Sequence, residues 1–359
     1  MSGSGAWPDA RFAALLGSRH PIIAAPMAGA GGVALAAAAI EGGGVGSLPC
    51  AMLTPDTVRE QVGEVRNRCA GPLNLNFFCH RLPEAADLGA WRELLRPFYA
   101  EYGLAPSEAE APVRRPFDEA MCAVVEKVRP ELVSFHFGLP DAALLQRAKA
   151  SGARILATAT TISEARVLAG RGVDAIVAQG WEAGGHAGRF LGAPADEQMG
   201  LFALLPQIVD ATGLPVVAAG GIADARGVAA ALMLGAAAVQ IGTAYLRSPE
   251  SLIGSAHRGA LETELAERTA FTNLFSGGLA RGLPTRLTEA LGPVRREAPP
   301  FPLASAALAP LARAAAERGE TGFTPMWSGQ SARPAPELPA RELTARLARE
   351  ALALLRGRE

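Results

Sequence analysis

The chain has 359 residues, of which 49% are hydrophobic and 19% charged, and its 34 basic and 35 acidic residues give a formal charge of −1. This composition supplies a large apolar core and excludes global disorder. The charge shows no basic excess of the kind that binds nucleic acid or an anionic membrane surface. We therefore expect a small-molecule partner and no nucleic acid.

The cysteine pattern and the N-terminal residues bear on redox state and location. Four cysteines without CxxC spacing are present: Cys50, Cys69, Cys79 and Cys122. They are too sparse for a disulfide scaffold or a Cys-rich metal site, so we expect no metal and a reducing, cytoplasmic compartment. Residues 1–7 show no signal-peptide pattern. Residues 21–40 are uncharged, but Pro26 and several glycines interrupt them, and we expect no membrane span.

Short apolar runs alternate with helical stretches along the chain. Eight runs are predicted strands: 22–25, 44–48, 73–77, 132–135, 154–157, 175–178, 215–218 and 238–241. Each run is continuous, as in parallel strands that are covered on both faces. Helices are predicted at 54–68, 141–151, 163–171 and 223–234, with Asp141 and Ser163 as N-caps. The alternation predicts an α/β fold, a closed (β/α)8 TIM barrel, with a doubly wound open sheet as the alternative.

Two regions depart from this repeat. Residues 81–116 carry Trp91, Phe98, Tyr99 and Tyr102 among acidic and proline residues, and predict a helical excursion after the third strand. From residue 249 onward no strand pattern remains. Helices are predicted there at 249–268, 303–318 and 340–355. We therefore divide the chain into a barrel, 1–248, with the excursion as an insertion, and a C-terminal helical extension, 249–359, that packs on the barrel.

Glycines follow the last two predicted strands. Gly220 and Gly221 come after the seventh strand, and Gly242 and Thr243 after the eighth. Barrels of this kind often hold a phosphate at that position, because glycines let backbone N–H groups approach the anion. The pattern favours a phosphate site over tight turns without a ligand.

Two amides, Asn76 and Gln179, end otherwise apolar strands. Such amides either satisfy buried backbone groups or hydrogen-bond the carbonyls and ring nitrogens of a flat heterocycle. Beside a phosphate site, they suggest a nucleotide-like cofactor.

His186 is the candidate general base. Gly184, Gly185 and Gly188 clear space around it, and a histidine can take a proton from an acidic C–H near neutral pH. His136 is predicted either to face the barrel mouth or to be a core histidine. The pair Cys79-His80 indicates metal or nucleophile chemistry only weakly, because no further ligand or base is positioned by the sequence. His20 and His257 are predicted to be surface or structural residues.

An ordered set of motifs runs through nearly the whole chain. It comprises Ala25-Pro26-Met27-Ala28-Gly29 and the segments 74–81, 133–138, 178–186, 215–224, 239–244, 281–284 and 327–330. In this set the chain resembles the nitronate monooxygenases, formerly called 2-nitropropane dioxygenases, of the bacterial class that acts on propionate 3-nitronate and alkyl nitronates. The glycine-rich pieces are shared with other FMN barrels, whereas the ordered set with its Trp-Ser-Gly-Gln tail is specific.

The resemblance implies a TIM barrel that holds FMN non-covalently, as a monomer or a homodimer. It implies oxidation of nitronates with O2 to a carbonyl compound and nitrite or nitrate. His186 would remove the α-proton of a neutral nitroalkane, whereas with an anionic nitronate it would position and stabilise the anion. The residues expected at the cofactor are Met27, Asn76, Gln179, Gly184, Gly185, Gly220, Gly221, Gln240, Ile241, Gly242, Thr243 and Gln330.

The chain departs from the family pattern at three places. Ala24 replaces a frequent glutamine, residues 30–32 are Ala-Gly-Gly where the family has Thr-Pro or similar, and Ala187 replaces a common arginine. Loss of that arginine removes a cation near the mouth, which weakens the expectation that a carboxylated nitronate binds. The alternatives are an FMN-dependent NAD(P)H enoyl-thioester or quinone reductase and an inactive flavin-binding barrel. A metal-dependent hydrolase is disfavoured because the strand ends offer amides and glycines rather than clustered ligands.

Overall fold

The computed structural model describes residues 7–83, 87–105, 114–192 and 197–357. Its strands are β1 (Ile22–Ala24), β2 (Gly46–Pro49), β3 (Leu73–Phe78), β4 (Leu132–His136), β5 (Arg154–Ala159), β6 (Ala175–Gln179), β7 (Gly185–His186), β8 (Val216–Ala219), β9 (Ala238–Ile241), β10 (Ala270–Thr272) and β11 (Ala280–Gly282). Its helices are α1 (Arg11–Leu16), α2 (Val33–Glu41), α3 (Pro55–Arg68), α4 (Gly89–Glu101), α5 (Glu119–Val128), α6 (Ala142–Ala150), α7 (Ile162–Gly170), α8 (Leu201–Thr212), α9 (Ala225–Met233), α10 (Thr243–Leu246), α11 (Ser255–Glu262), α12 (Arg286–Leu291), α13 (Ala304–Glu317) and α14 (Ala340–Arg356).

Eight parallel strands form the barrel. They pair in the order β1-β9-β8-β6-β5-β4-β3-β2, and a parallel bridge between Ile23 and Val45 brings the two ends of the sheet together. Hydrogen bonds from Ala24 N to Val45 O (3.0 Å) and from Val45 N to Ile22 O (2.8 Å) complete that seam. The predicted TIM barrel is thus confirmed, and the open-sheet alternative is wrong. The strands read as continuous apolar runs because both faces of the sheet are buried.

Side-chain caps define several helix starts. The Asp141 carboxylate accepts from Leu144 N at 2.9 Å, as predicted. The prediction that Ser163 caps the next helix is wrong. The hydroxyl of Thr161 accepts from Glu164 N at 3.1 Å, and α7 starts at Ile162, directly after this cap. Among the described residues, no helix has both the length and the apolar character that crossing a membrane requires.

The eighth helix of the barrel comes from the far end of the chain. After β9 only the four-residue α10 follows directly, and α14, about a hundred residues later, packs against α9 and α2. Its approach to α2 is close, since a Cβ on Gly42 would lie 2.6 Å from Arg341 O and 2.7 Å from Thr344 Cβ. The buried hydroxyls of Tyr245 and Thr344 hydrogen-bond at 2.6 Å. The tail therefore closes the helical layer of the barrel.

The excursion after β3 shares a second core with the tail. Of the predicted excursion, residues 84–86 and 106–113 lie outside the described residues, and α4 occupies its middle. Trp91 of α4 is fully buried and donates from Nε1 to Ala304 O (3.2 Å), and Tyr99 donates to Ala307 O (2.6 Å). Both acceptors lie on α13. Insertion and tail thus bury each other's apolar faces.

Two expectations about the tail are wrong. It is not purely helical, because β10 and β11 pair antiparallel and β11 pairs in turn with β7. These strands have three residues each, too few to show a periodicity, and their partner lies about a hundred residues away. Nor is 249–268 one helix. Leu252 N donates to Ala30 O at 2.9 Å, so the chain follows a barrel loop before α11 begins, and extended Thr263 separates α11 from a 3-10 helix at Glu264–Glu267.

Truncation of Leu343 tests how α14 is used. Leu343 is fully buried in the main core, so Leu343→Ala is expected to lower the free energy of unfolding by about 2–5 kcal/mol, measured by urea denaturation. Arg346→Ala, on the exposed face of the same helix, is the control and is expected to change stability by less than about 0.5 kcal/mol. Equal, small effects of the two variants would contradict the packing described.

Candidate functional site

A cavity of about 510 Å³ opens at the carboxyl end of the barrel. Its wall comes from the loops that follow β1, β6, β8 and β9, from the last residues of β3 and β4, and from segments of the tail. The carboxyl ends of parallel barrel strands meet at one rim, so residues distant in sequence converge there.

The cavity gathers most of the predicted site residues. Eleven of the thirteen line it: Met27, Asn76, Gln179, Gly184, Gly185, His186, Gly220, Gly221, Gln240, Gly242 and Thr243. Ile241 does not, because neighbours in a strand point to opposite faces, so that Gln240 takes the cavity side and Ile241 the core. Gln330 is exposed, and its backbone N donates to Glu182 O at 3.0 Å.

His186 is held in a short sheet over the barrel mouth. It belongs to β7, where it pairs with Ala280 of β11. Four aromatic rings surround its imidazole, with centroid distances of 5.2 to 6.2 Å: Phe78, Phe137, Phe301 and Trp327. The imidazole Nε2 lies 2.8 Å from Ser276 Oγ. Tail strand, aromatic rings and serine together fix the orientation of the ring.

Burial and neighbouring charge keep His186 neutral. Burial is the main cause that lowers its pKa well below 6.5, and the Arg114 guanidinium lowers it further, as His136 and His80 would in their protonated forms. A neutral imidazole retains the lone pair that a general base needs.

The backbone carbonyl of His186 is braced by two side chains from the barrel. Gln179 Nε2 donates to it at 2.9 Å, while Gln179 Oε1 accepts from Gly188 N at 2.7 Å. His136 Nε2 also donates to that carbonyl, at 3.1 Å. Burial lowers the pKa of His136 to about 4, so it stays neutral. His136 thus faces the barrel mouth and is also hydrogen-bonded to the protein, so both predictions for this residue hold in part.

Glycines and Thr243 form one rim of the cavity, which we call the glycine rim (Gly220, Gly221, Gly242 and Thr243). Gly220 and Gly221 have φ of +114° and +68°, a region that L side chains rarely adopt. Among the described residues, the N–H groups of Gly220, Gly221 and Thr243 have no hydrogen-bond acceptor. The rim therefore presents free backbone donors, and three of its four residues have no side chain.

The tail completes the wall beside this rim. Gly329 N donates to Thr243 Oγ1 (2.8 Å), and Ser331 Oγ donates to Gly221 O (2.8 Å). A Cβ on Gly184 would lie 2.4 Å from Gly329 N, so only glycine fits where barrel loop and tail meet. The site thus depends on residues from both ends of the chain.

Two amides offer free groups to the cavity. Asn76 Nδ2 donates to Ser134 Oγ at 2.9 Å, which leaves its Oδ1 without a partner among the described residues. Gln240 likewise has no side-chain partner within the described part of the chain, and both line the cavity. Gln179 differs, because both ends of its amide already bind the loop that carries His186.

Several residues in or beside the cavity wall were not singled out as site residues from the sequence. Ser276 lies in a Ser-Gly-Gly turn whose glycines were the only hint, and Arg114 and Phe301 lie in proline-rich segments without periodicity.

His257, predicted to be surface or structural, lines the cavity, and burial lowers its pKa to about 4. His80 donates from Nε2 to Arg114 O (2.9 Å). Among the described residues no cluster of three or more His, Cys, Asp or Glu is arranged to hold a metal.

Comparison with known proteins gives consistent matches. A family model described as nitronate monooxygenase matches residues 10–350. A nitronate monooxygenase of Paraburkholderia phytofirmans is 45% identical over 94% of this chain and 93% of its own, and one of Pseudomonas aeruginosa is 43% identical over 95% and 98%. The solved structure of a nitroalkane oxidase from Streptomyces ansochromogenes superposes with a TM-score of 0.88 at 37% identity, over 97% of this chain and 99% of that one.

The histidines make stability depend on pH. Burial is the main cause that lowers the pKa of all five: His20, His80, His136, His186 and His257. The unfolded chain protonates them near pH 6.5 and the native state does not, so their stabilising effect is complete above that pH and is lost as the pH falls. We expect urea denaturation to give a smaller free energy of unfolding at pH 5.5 than at pH 7.5. At pH 5.5 unfolding should be accompanied by a net uptake of protons. Equal or greater stability at pH 5.5 would contradict the burial of neutral histidines.

Proposed function

The chain belongs to the nitronate monooxygenase family, and from this premise we propose that it is an FMN-dependent oxidoreductase for alkyl nitronates of the propionate 3-nitronate type. With O2 as co-substrate, the products would be a carbonyl compound and nitrite or nitrate. The observation that carries the proposal is that one cavity is lined both by a neutral, partly buried His186 and by free backbone donors. The four cysteines are free, which agrees with a cytoplasmic location.

The residues present fit FMN. The glycine rim offers unpaired N–H groups to a phosphate. Asn76 and Gln240 would hydrogen-bond the flat ring system, with Met27 packed nearby. When bound, FMN would accept electrons from the nitronate and pass them to O2. Gln179, expected as a flavin ligand, is proposed instead to hold the loop of His186.

His186 would take the α-proton of a neutral nitroalkane. Ser276 Oγ lies 3.4 Å from Gly278 O, to which it can donate, so it can accept from His186 Nε2. This arrangement leaves Nδ1, which has no partner among the described residues, as the nitrogen with the free lone pair. An anionic nitronate has already lost that proton, so with it the imidazole only positions the substrate.

Two alternatives remain to be separated by experiment. An NAD(P)H-dependent reductase of the same barrel type would reduce the flavin with NADPH under anaerobic conditions, whereas a monooxygenase would not need it. An inactive flavin-binding barrel would be yellow and would not react with any nitronate. The braced backbone of His186, with its imidazole held by Ser276, supports a working site over the second alternative.

Replacement of His186 separates the two substrate forms. His186→Asn is expected to slow turnover of neutral nitroethane by about 10²–10⁴-fold, because general-base catalysis is lost, and to slow ethylnitronate oxidation by less than about tenfold. Oxygen uptake in freshly prepared solutions of each form measures this. His20→Asn is the matched control, because His20 precedes β1 and does not line the cavity. Equal losses of turnover rate on both substrates would contradict a role of His186 in proton removal.

A further inference from the structure

Arg114 places one guanidinium in the wall of the cavity. The backbone of this segment is tied to the end of β3 at two points: His80 Nε2 donates to Arg114 O (2.9 Å), and Phe117 N donates to Phe78 O (2.7 Å). His80 is neutral, because burial lowers its pKa, so it acts here as a plain hydrogen-bond donor. His80 of the Cys79-His80 pair therefore has a structural use, because it holds the Arg114 segment to the end of β3.

The charge of Arg114 has no counter-ion within the described residues. Arg114 is the one arginine or lysine among the cavity residues that the structure describes, and Glu182 is the one carboxylate. Glu182 is occupied, because both of its oxygens accept from Leu201 N, at 3.0 and 2.9 Å, and it lies against Gly221 of the glycine rim. Burial lowers the pKa of Arg114, which marks the cost of holding this charge away from water. An anionic ligand would remove that cost.

The guanidinium lies near His186 in the cavity wall. Its Cζ is 5.9 Å from the ring centroid of Phe301, and that ring is 5.2 Å from the imidazole of His186. Phe301 thus stands beside both groups, and Arg114 and His186 both line the cavity. Ala187, where the family commonly has arginine, is buried, and its N donates to Leu279 O at 2.9 Å. Position 187 therefore supplies no cation, and Arg114 is the one cationic residue among the described residues that line the cavity.

We propose that Arg114 binds a carboxylate on the substrate and so selects nitronates that carry a second negative charge at the end of a short chain. The inference rests on the proposed function and goes beyond it by naming the residue that reads the substrate tail. A guanidinium presents paired donors that match a carboxylate. The nitronate group would lie beside His186, and the carboxylate would lie at Arg114.

Two substrates of similar length test this assignment. Propionate 3-nitronate ends in a carboxylate, and butyl-1-nitronate ends in a methyl group. For Arg114→Gln, kcat/KM for propionate 3-nitronate is expected to fall about 10–100-fold, mainly through KM, with less than about a threefold change for butyl-1-nitronate. Arg114→Lys keeps the charge without the paired donors and is expected to fall between wild type and Arg114→Gln. Arg81→Gln removes the same charge from an exposed position outside this cavity and is the control.

A pH profile gives a second readout. The charged or titratable groups that act on His186 are Arg114, His136 and His80, and the two histidines are neutral. Loss of Arg114 removes the one positive charge among these groups, so the pKa of His186 should rise in Arg114→Gln. The acidic limb of the profile of kcat/KM against pH, measured with neutral nitroethane, should therefore move to higher pH. The visible flavin spectrum checks that the variant retains its cofactor.

The outcomes separate the inference from the function on which it rests. A selective loss on the carboxylated substrate supports the inference. Equal losses on both nitronates, or no loss on either, would overturn it while nitronate oxidation by the wild type stands. If the wild-type protein oxidises neither substrate, the proposed function itself fails, and the role of Arg114 fails with it.

Discussion

The backbone carbonyl of His186 is the point on which the arrangement of the site depends. Gln179 from β6 and His136 from β4 both donate to it, and β11 pairs with the same residue from the other side. A histidine in a glycine-rich loop would otherwise sample many orientations. Because rigid barrel strands supply both donors, His186 is held relative to the rim where the strands end, and its proposed role as a general base requires such a fixed position.

The tail is part of both the fold and the site. It provides α14 as the eighth outer helix, α13 as the partner of the insertion, and the wall that reaches Thr243 and Gly221. Each contact spans about a hundred residues of sequence or more, so the cavity forms only after long-range packing is complete. Damage to the tail should therefore affect the cavity even where the barrel strands are untouched.

Much of the architecture follows from local patterns. Continuous apolar runs predicted the eight barrel strands, because burial on both faces leaves no polar alternation to misread. Glycine spacing marked the glycine rim and His186, since a free backbone and a clear space require glycine. The two three-residue tail strands could not be predicted, because their stability comes from pairing with a distant loop.

The side-chain roles were harder to predict than the positions. Ile241 was included with Gln240, although strand alternation turns one of them into the core. Gln179 was expected to face a cofactor, yet its amide is used within the protein, and no pattern in the chain marked Arg114 or Ser276. These features depend on which groups meet in three dimensions, so a single sequence could not show them.

The central claim is that this cavity oxidises a nitronate with O2 and needs no nicotinamide. The most direct measurement is the visible spectrum of the purified protein, followed by oxygen uptake on addition of propionate 3-nitronate without NAD(P)H. We predict a flavin spectrum and immediate oxygen uptake that ceases when the nitronate is exhausted. A flavin that does not react with the nitronate but is reduced by NADPH under anaerobic conditions would contradict the account.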